Sequence, residues 1–418
     1  MSFEKLGLEK SLLKALADQG YTEPTPIQQS TIVPVLEGKD VMATAQTGTG
    51  KTAAFTLPLL QLLQQASGDR SKPRALIVTP TRELAAQVLA SINTYGKYLP
   101  LKAMAVYGGV KIGPQIKSLR QGVDIVVATP GRLLDLYQQK AINFKSIQML
   151  ILDEADRMLD MGFIPDIRRI QSRLPEDKQT LMFSATFSRD IRDLAKTMLA
   201  QPVQVDVAAQ NATAETVEQS VVPVDKEKKA EALKRLFETR GCAQTLVFTR
   251  TKHGANKLVK VLNKSGIQSE AIHGNKSQGH RTRVLEGFKR GKVSVLVATD
   301  IASRGLDINE LPLVVNYELP HVPEDYVHRI GRTGRAGKEG LAVSLVSADE
   351  AKQLHAIEKL TEKDIARDVL EDFEPSVPVP LRKQSRNQRS GNRSNVEQKR
   401  NGRSKKPSGK RFRGRRAA

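Results

Sequence analysis

Residues Asp40–Thr52 read DVMATAQTGTGKT. A short apolar run passes directly into small residues and then into Lys51-Thr52. Ala45–Thr52, AQTGTGKT, fits a phosphate-binding loop, with Ala45 where the pattern has its first glycine. The run Ala45, Gln46, Thr47, Gly48, Thr49 and Gly50, mostly small residues, lets successive backbone N–H groups turn toward phosphate oxygens. Lys51 would supply a point charge to the β- and γ-phosphates, and the Thr52 hydroxyl suits a magnesium ion. A helix starting here adds its N-terminal dipole. Strand, loop and helix in this order predict an α/β domain.

Further apolar runs lie outward from this one: ALIVT (75–79), DIVVAT (124–129), MLILD (149–153) and TLMFS (180–184). A second group holds TLVFT (245–249), VSVLVAT (293–299) and PLVVNY (312–317). The runs are continuous rather than alternating, as in parallel strands covered by helices on both faces. Two tandem doubly wound parallel-sheet domains follow, over 1–207 and 218–370. The small polar stretch 208–217 is expected to link them. From 371 to 418 the chain is Pro-rich, then rich in Arg, Ser, Asn and Gly. Such a composition predicts a disordered basic tail.

Polar clusters follow the runs: TPTREL, TPGR, DEAD and SAT in the first group, TRTKHG and TDIASRG in the second. Ligands of open parallel sheets bind beyond the carboxyl ends of the strands, where these clusters begin. Asp153-Glu154-Ala155-Asp156 follows a strand expected to adjoin the one feeding the loop. Asp153 would hold magnesium and Glu154 would activate the attacking water. HRIGRTGR (His328–Arg335) offers Arg332 and Arg335, three residues apart, whose planar guanidinium groups suit phosphate oxygens. They belong to the second domain, so catalysis would require domain closure.

The net charge is +21. Residues 382–418 carry 15 Lys/Arg against one acid, Glu397, so two-thirds of the excess lies in the last 37 residues. A polyanionic partner is implied. No strongly apolar amphipathic helix accompanies the tail, which favours nucleic acid over a membrane. Cys242 is the only cysteine, excluding an intrachain disulfide and fitting a reducing, cytoplasmic setting. MSFEKLGLEK does not resemble a secretory signal. There is no Trp, and aromatic residues are scattered, so a base-stacking platform is not expected.

In this ordered set of motifs the chain resembles the DEAD-box ATP-dependent RNA helicases, and among them the bacterial RhlE-type proteins. The resemblance covers about residues 1–370 and implies RecA-like domains, ATP and Mg2+ as cofactors, and RNA as partner. Phe3 and GYTEPTPIQ (Gly20–Gln28) match the adenine-reading element, implying that Gln28 bonds the adenine edge while Phe3 and Tyr21 pack around it. Gly305 matches a backbone contact near the γ-phosphate, and Asp307 a contact to the ribose. Ser184 and Thr186, through Asp156, match the element coupling hydrolysis to unwinding, and His328 a link between the ATP and RNA sites. The implied backbone-directed RNA contacts are Pro80, Thr81, Arg82, Gly109, Thr129, Gly131 and Arg132 in the first domain. In the second they are Arg250, Gly274, Gln278, Arg281 and Thr299. Local unwinding of short duplexes by a monomer is the implied activity, with ribosome assembly or RNA decay as its setting. A non-catalytic ATP-gated RNA clamp and a DNA helicase are the competing readings; intact Lys51, Glu154 and Arg332 argue against the clamp.

Overall fold

The computed structural model describes residues 2–45, 48–66, 71–206, 217–241, 244–303, 305–306, 308, 310–334 and 340–380. Gln46, Thr47, Asp307, Arg335, most of the expected linker and the basic segment 381–418 lie outside the described residues.

The first sheet contains β1 (Val41–Thr44), β2 (Ala75–Val78), β3 (Ala103–Val106), β4 (Ile125–Ala128), β5 (Met149–Leu152), β6 (Gln179–Ser184) and β7 (Val203–Asp206). Its order is β3-β4-β2-β5-β6-β1-β7. The second contains β8 (Val217–Pro223), β9 (Thr245–Phe248), β10 (Ser269–Ile272), β11 (Val295–Ala298), β12 (Leu313–Asn316), β13 (Gly340–Val346) and β14 (Ala366–Arg367). Its order, β10-β11-β9-β12-β13-β8-β14, repeats the first position for position. The pairings within both sheets are parallel.

Successive strand residues point to opposite faces, and both faces are covered. Leu76 and Val78 enter one core cluster while Ile77, between them, enters the other. Leu150, Ile151 and Leu152 divide in the same way. Both kinds of position must therefore be apolar, which explains the continuous runs. In the second sheet Val247 faces one cluster, and Leu246 and Phe248 another.

Three expectations need correction. The strand before Asp153 does not adjoin the one feeding the phosphate loop. β6 lies between them, with Leu181 opposite Val41 and Gln179 opposite Met149. The SAT turn therefore sits between the phosphate loop and the DEAD segment. Val217, placed in the linker, is the first residue of β8 and pairs with Gly340. Residues 371–380, assigned to the tail, pack onto the second domain. Phe373 joins one core cluster, and Val379 is buried in another. Ser376 donates twice to Asp225, from its backbone N–H at 2.9 Å and from its hydroxyl at 2.6 Å. Prolines remove backbone donors, but two apolar anchors and these bonds hold the segment.

The second domain encloses a charged cluster. Lys229 Nζ donates to the carbonyls of Tyr317 (3.0 Å) and Leu345 (2.7 Å) and to the Glu350 carboxylate. Glu350 also accepts the Leu319 N–H at 3.0 Å and lies 3.4 Å from Arg250 Nη2. Burial holds the Lys229 ammonium below the ordinary lysine pKa, while Glu350 opposes that shift. Removing one member of a buried pair leaves the other uncompensated, at about 3–5 kcal/mol. Glu350→Ala is thus expected to destabilise the second domain by that amount, measured as a lowered urea midpoint.

Candidate active site

The loop after β1 opens the helix Lys51–Gln65 at Lys51 itself. Gly50 has φ 94°, a left-handed conformation. A Cβ there would lie 2.5 Å from Gln28 Nε2, so this turn requires glycine. Gln28 Nε2 donates to the Gly50 carbonyl at 3.2 Å, and its Oε1 accepts the Thr25 N–H at 2.9 Å. The adenine-reading candidate is thereby tied to the phosphate loop. One amide hydrogen and one carbonyl lone pair remain for a ligand.

Asp153 and Glu154 follow β5 and are both buried. Burial pushes the Asp153 carboxyl up to about 7, with Lys51 pulling the other way and Glu154 adding to the rise. Asp153 Oδ1 and Glu154 Oε2 are buried and have no hydrogen-bond partner. Glu154 also has φ 56°, a costly conformation for a non-glycine residue. Carboxylate oxygens without hydrogen-bond partners and a strained backbone coincide at one point, lining one cavity.

That cavity has a volume of about 440 Å³. From the first domain Phe3, Tyr21, Gln28, Gly48, Gly50, Lys51, Thr52, Asp153 and Glu154 line it. From the second domain come Gly305, Leu306 and Arg332. Arg332 Nη1 donates to the Leu306 carbonyl at 2.9 Å. A stripe of the helix Arg82–Tyr95 completes the wall with Leu84, Gln87, Ser91 and Tyr95. Sequence reasoning missed this stripe. The only signal was helical spacing of mixed polar and apolar residues, which an ordinary surface helix shares.

Gly305 packs closely against the first domain. It has φ 71°, and a Cβ there would lie 2.2 Å from Thr81 Oγ1 and 3.1 Å from Leu84 Cβ. Overpacking of this kind costs about 1–3 kcal/mol. Gly305→Ala is expected to depopulate the closed arrangement and lower turnover about 10-fold or more, measured in steady-state hydrolysis.

Three of the four coupling candidates, Asp156, Ser184 and Thr186, are hydrogen-bonded to one another. Asp156 Oδ2 accepts from the Ala185 N–H at 3.2 Å and from Thr186 Oγ1 at 3.4 Å. Ser184 Oγ accepts the Asp156 N–H at 3.2 Å and donates to the Thr186 carbonyl at 2.6 Å. His328 borders a small void beside Arg157, Asp325 and Arg332. Arg157 bridges the domains to Asp325 at 3.2 Å.

A second cavity, of about 480 Å³, gathers many of the expected RNA-contacting residues. Pro80, Thr81, Arg82, Thr129, Gly131, Arg132, Gly274 and Arg281 line it. Gly109 lies under Arg82, whose Nη1 would be 2.0 Å from an added Cβ. Gln278 bridges the domains, donating to Glu83 at 3.0 Å and accepting from Arg82 at 3.4 Å. Arg281 pairs with Glu83 at 3.0 Å. Thr299 follows β11, where its carbonyl accepts the Ala302 N–H at 3.0 Å. Glu83, within the PTREL motif, also lines this groove, as do Met161, Phe163 and Ile301, which were not anticipated.

Arg250 is not among the groove-lining residues. Its guanidinium lies 3.6 Å from Glu318 and 3.4 Å from Glu350. It lines a separate cavity of the second domain with Lys226 and Lys257. Two carboxylates from distant strand ends hold it there, a pairing that local sequence does not reveal.

Phosphate-loop residues and an acid pair from one domain and an arginine from the other line one cavity, the arrangement of a nucleotide-hydrolysing enzyme. Comparison with known proteins narrows the class. Residues 25–194 match the DEAD/DEAH box helicase family model, and 228–337 match the helicase conserved C-terminal domain. The chain is 43% identical over 366 residues to the DEAD-box ATP-dependent RNA helicase CshA of Bacillus cereus, covering 88% of this chain and 69% of that one. It is 43% identical over 364 residues to the DEAD-box ATP-dependent RNA helicase RhpA of Helicobacter pylori, covering 87% and 73%. The structure resembles Saccharomyces cerevisiae Dbp5 bound to RNA and ADP–BeF3, with TM-score 0.80, 31% identity, and coverage of 89% of this chain and 96% of that one. This chain belongs to the DEAD-box family of ATP-dependent RNA helicases.

Proposed function

We propose that the protein couples ATP hydrolysis to local separation of short RNA duplexes or remodelling of RNA–protein complexes. The observation that carries this reading is a single cavity lined by Lys51 and Glu154 from one domain and Arg332 from the other. CshA and RhpA are named ATP-dependent RNA helicases. Dbp5 has been captured with RNA and ADP–BeF3, and Mss116 with single-stranded RNA and AMP-PNP.

In this reading Gln28 selects adenine, with Phe3 and Tyr21 packing around it and Asp307 at the ribose. The amides of the loop Ala45–Gly50, with Gln46 and Thr47, wrap the phosphates, and Lys51 neutralises them. Glu154 accepts a proton from the attacking water. Arg332 and Arg335 meet the charge that develops on the γ-phosphate. Asp156, Ser184, Thr186 and His328 carry the change to the RNA groove.

The donor set fits magnesium. Asp153 presents a buried, unpartnered carboxylate oxygen, and Thr52 lines the same cavity. Magnesium usually takes one or two carboxylates and completes its shell with water and substrate phosphates. Bound there, the ion supplies charge neutralisation and orientation of the phosphates. Arg82, Arg132 and the small residues of the groove suit a sugar-phosphate backbone without base reading. The basic segment 382–418 adds salt-sensitive affinity for the same polyanion.

The finer assignments join this proposal: an RhlE-type member acting as a cytoplasmic monomer on ribosomal precursors or in RNA decay. The RhlE-type placement is supported by the motif resemblance, while the relatives above carry other subgroup names. Among the described residues no helix is long and apolar enough to cross a membrane.

Phosphate release from ATP with magnesium, measured with single-stranded RNA, with a matched DNA and alone, tests the reading. Strong stimulation by RNA and little by DNA is expected. Equal stimulation by both would overturn the RNA assignment. No hydrolysis, with ATP still tightening RNA binding, would point to a clamp.

A further inference from the structure

Gln87 lies on the cavity-facing stripe of the helix Arg82–Tyr95, at the spacing Leu84, Gln87, Ser91. Its Nε2 donates to the Gly305 carbonyl at 2.7 Å, across the junction between the domains. The next carbonyl along the chain, that of Leu306, accepts from Arg332 Nη1 at 2.9 Å. Two consecutive peptide groups are therefore gripped from opposite sides. The first domain holds the carbonyl of residue 305, and the arginine of the second domain holds that of 306.

Peptide planes transmit displacement because the backbone between adjacent carbonyls has only two soft dihedrals. Here even those are restricted. Gly305 packs against Thr81 and Leu84 with no room for a Cβ, and the Leu306 side chain is buried in a core cluster. A shift of the Gly305 carbonyl is passed along this short backbone link to the Leu306 carbonyl, which accepts from the Arg332 guanidinium. The bond from Gln87 spans the two domains, so it can exist only when they have closed.

We propose that Gln87 is a positioning residue: by fixing the Gly305–Leu306 backbone on closure, it sets Arg332 in register with the ATP cavity. The arginine then enters its working position as a consequence of domain docking, not independently of it. This inference rests on the ATP-hydrolysing reading above.

The test uses the full chain carrying Gln87→Glu, which keeps the shape but replaces the amide donor with an acceptor, and Gln87→Leu, which removes both. Steady-state ATP hydrolysis is measured at saturating single-stranded RNA. Interdomain distance is followed by fluorescence transfer between dyes on the two domains, with RNA and AMP-PNP bound. Both variants are expected to lose at least tenfold in kcat with less than a threefold change in KM for ATP, and to show a reduced closed population. A raised KM with kcat unchanged would make Gln87 only a wall of the nucleotide cavity and would overturn the proposal. Wild-type kcat in a well-folded Gln87→Leu would also overturn it. Should one variant fail to fold, by circular dichroism, the other carries the test. Absence of RNA-stimulated hydrolysis in the wild-type protein is a separate failure, that of the underlying reading.

Discussion

Glu154→Gln is expected to lower RNA-stimulated ATP hydrolysis by about 100- to 10,000-fold, the range of a positioned general base. The substitution keeps the shape of a buried side chain while removing its basicity. It also removes one of two adjacent carboxylates, easing the burial of Asp153, whose pKa is raised in part by Glu154. ATP binding should therefore persist, and the closed complex should accumulate because its exit by hydrolysis is blocked. Single-turnover phosphate release, set beside equilibrium ATP binding, measures both. A variant that hydrolyses ATP within threefold of wild type would remove Glu154 from the base role.

Arg332→Ala is expected to have an effect as large or larger, since an arginine supplied to a transferring phosphoryl group contributes about 1,000- to 100,000-fold. The substitution also frees the Leu306 carbonyl, which accepts from Arg332. The loss should fall on kcat, because the charge that Arg332 meets develops in the transition state. Lysine at this position should rescue little, since one ammonium cannot serve a carbonyl and a phosphate in the planar geometry of a guanidinium. Steady-state hydrolysis at saturating ATP and RNA, for Arg332→Ala and Arg332→Lys together, measures this. Substantial recovery in the lysine variant would show that charge alone suffices.

Much of the architecture could be read from continuous apolar runs. Ala75–Val78, Ile125–Ala128 and Met149–Leu152 are buried throughout, and both faces of each strand demand apolar residues. Strands with weaker signals escaped notice. Ala103–Val106 is only partly buried over its first three residues, and Val203–Asp206 alternates polar with apolar residues at the sheet edge. Strand order was beyond reach as well, since a parallel pairing joins segments far apart in the chain. The insertion of β6 between β1 and β5 left no local trace.

The ATP-site candidates were legible because loop chemistry is local: Gly48, Thr49, Gly50, Lys51 and Thr52 are contiguous. Gln87 and Glu83 were not, because their meaning depends on partners about 200 residues away, Gly305 and Arg281. Arg250 shows the converse case, an expected contact whose partners in the fold are carboxylates. A lone arginine after a strand looks available for phosphate until Glu318 and Glu350 arrive from distant strand ends.

The matching order of the two sheets has a consequence for ancestry. Lys51 opens the helix that follows the first strand of one sheet, and Lys229 opens the helix that follows the first strand of the other. One topology written twice is what duplication of a single unit leaves behind, and the two lysines occupy corresponding places in the copies. Their fates have diverged. Lys51 faces a cavity beside an acid pair, whereas Lys229 is spent on Glu350 and two carbonyls. The second domain's lysine is tied within that domain, while its Arg332 lines the cavity that Lys51 faces.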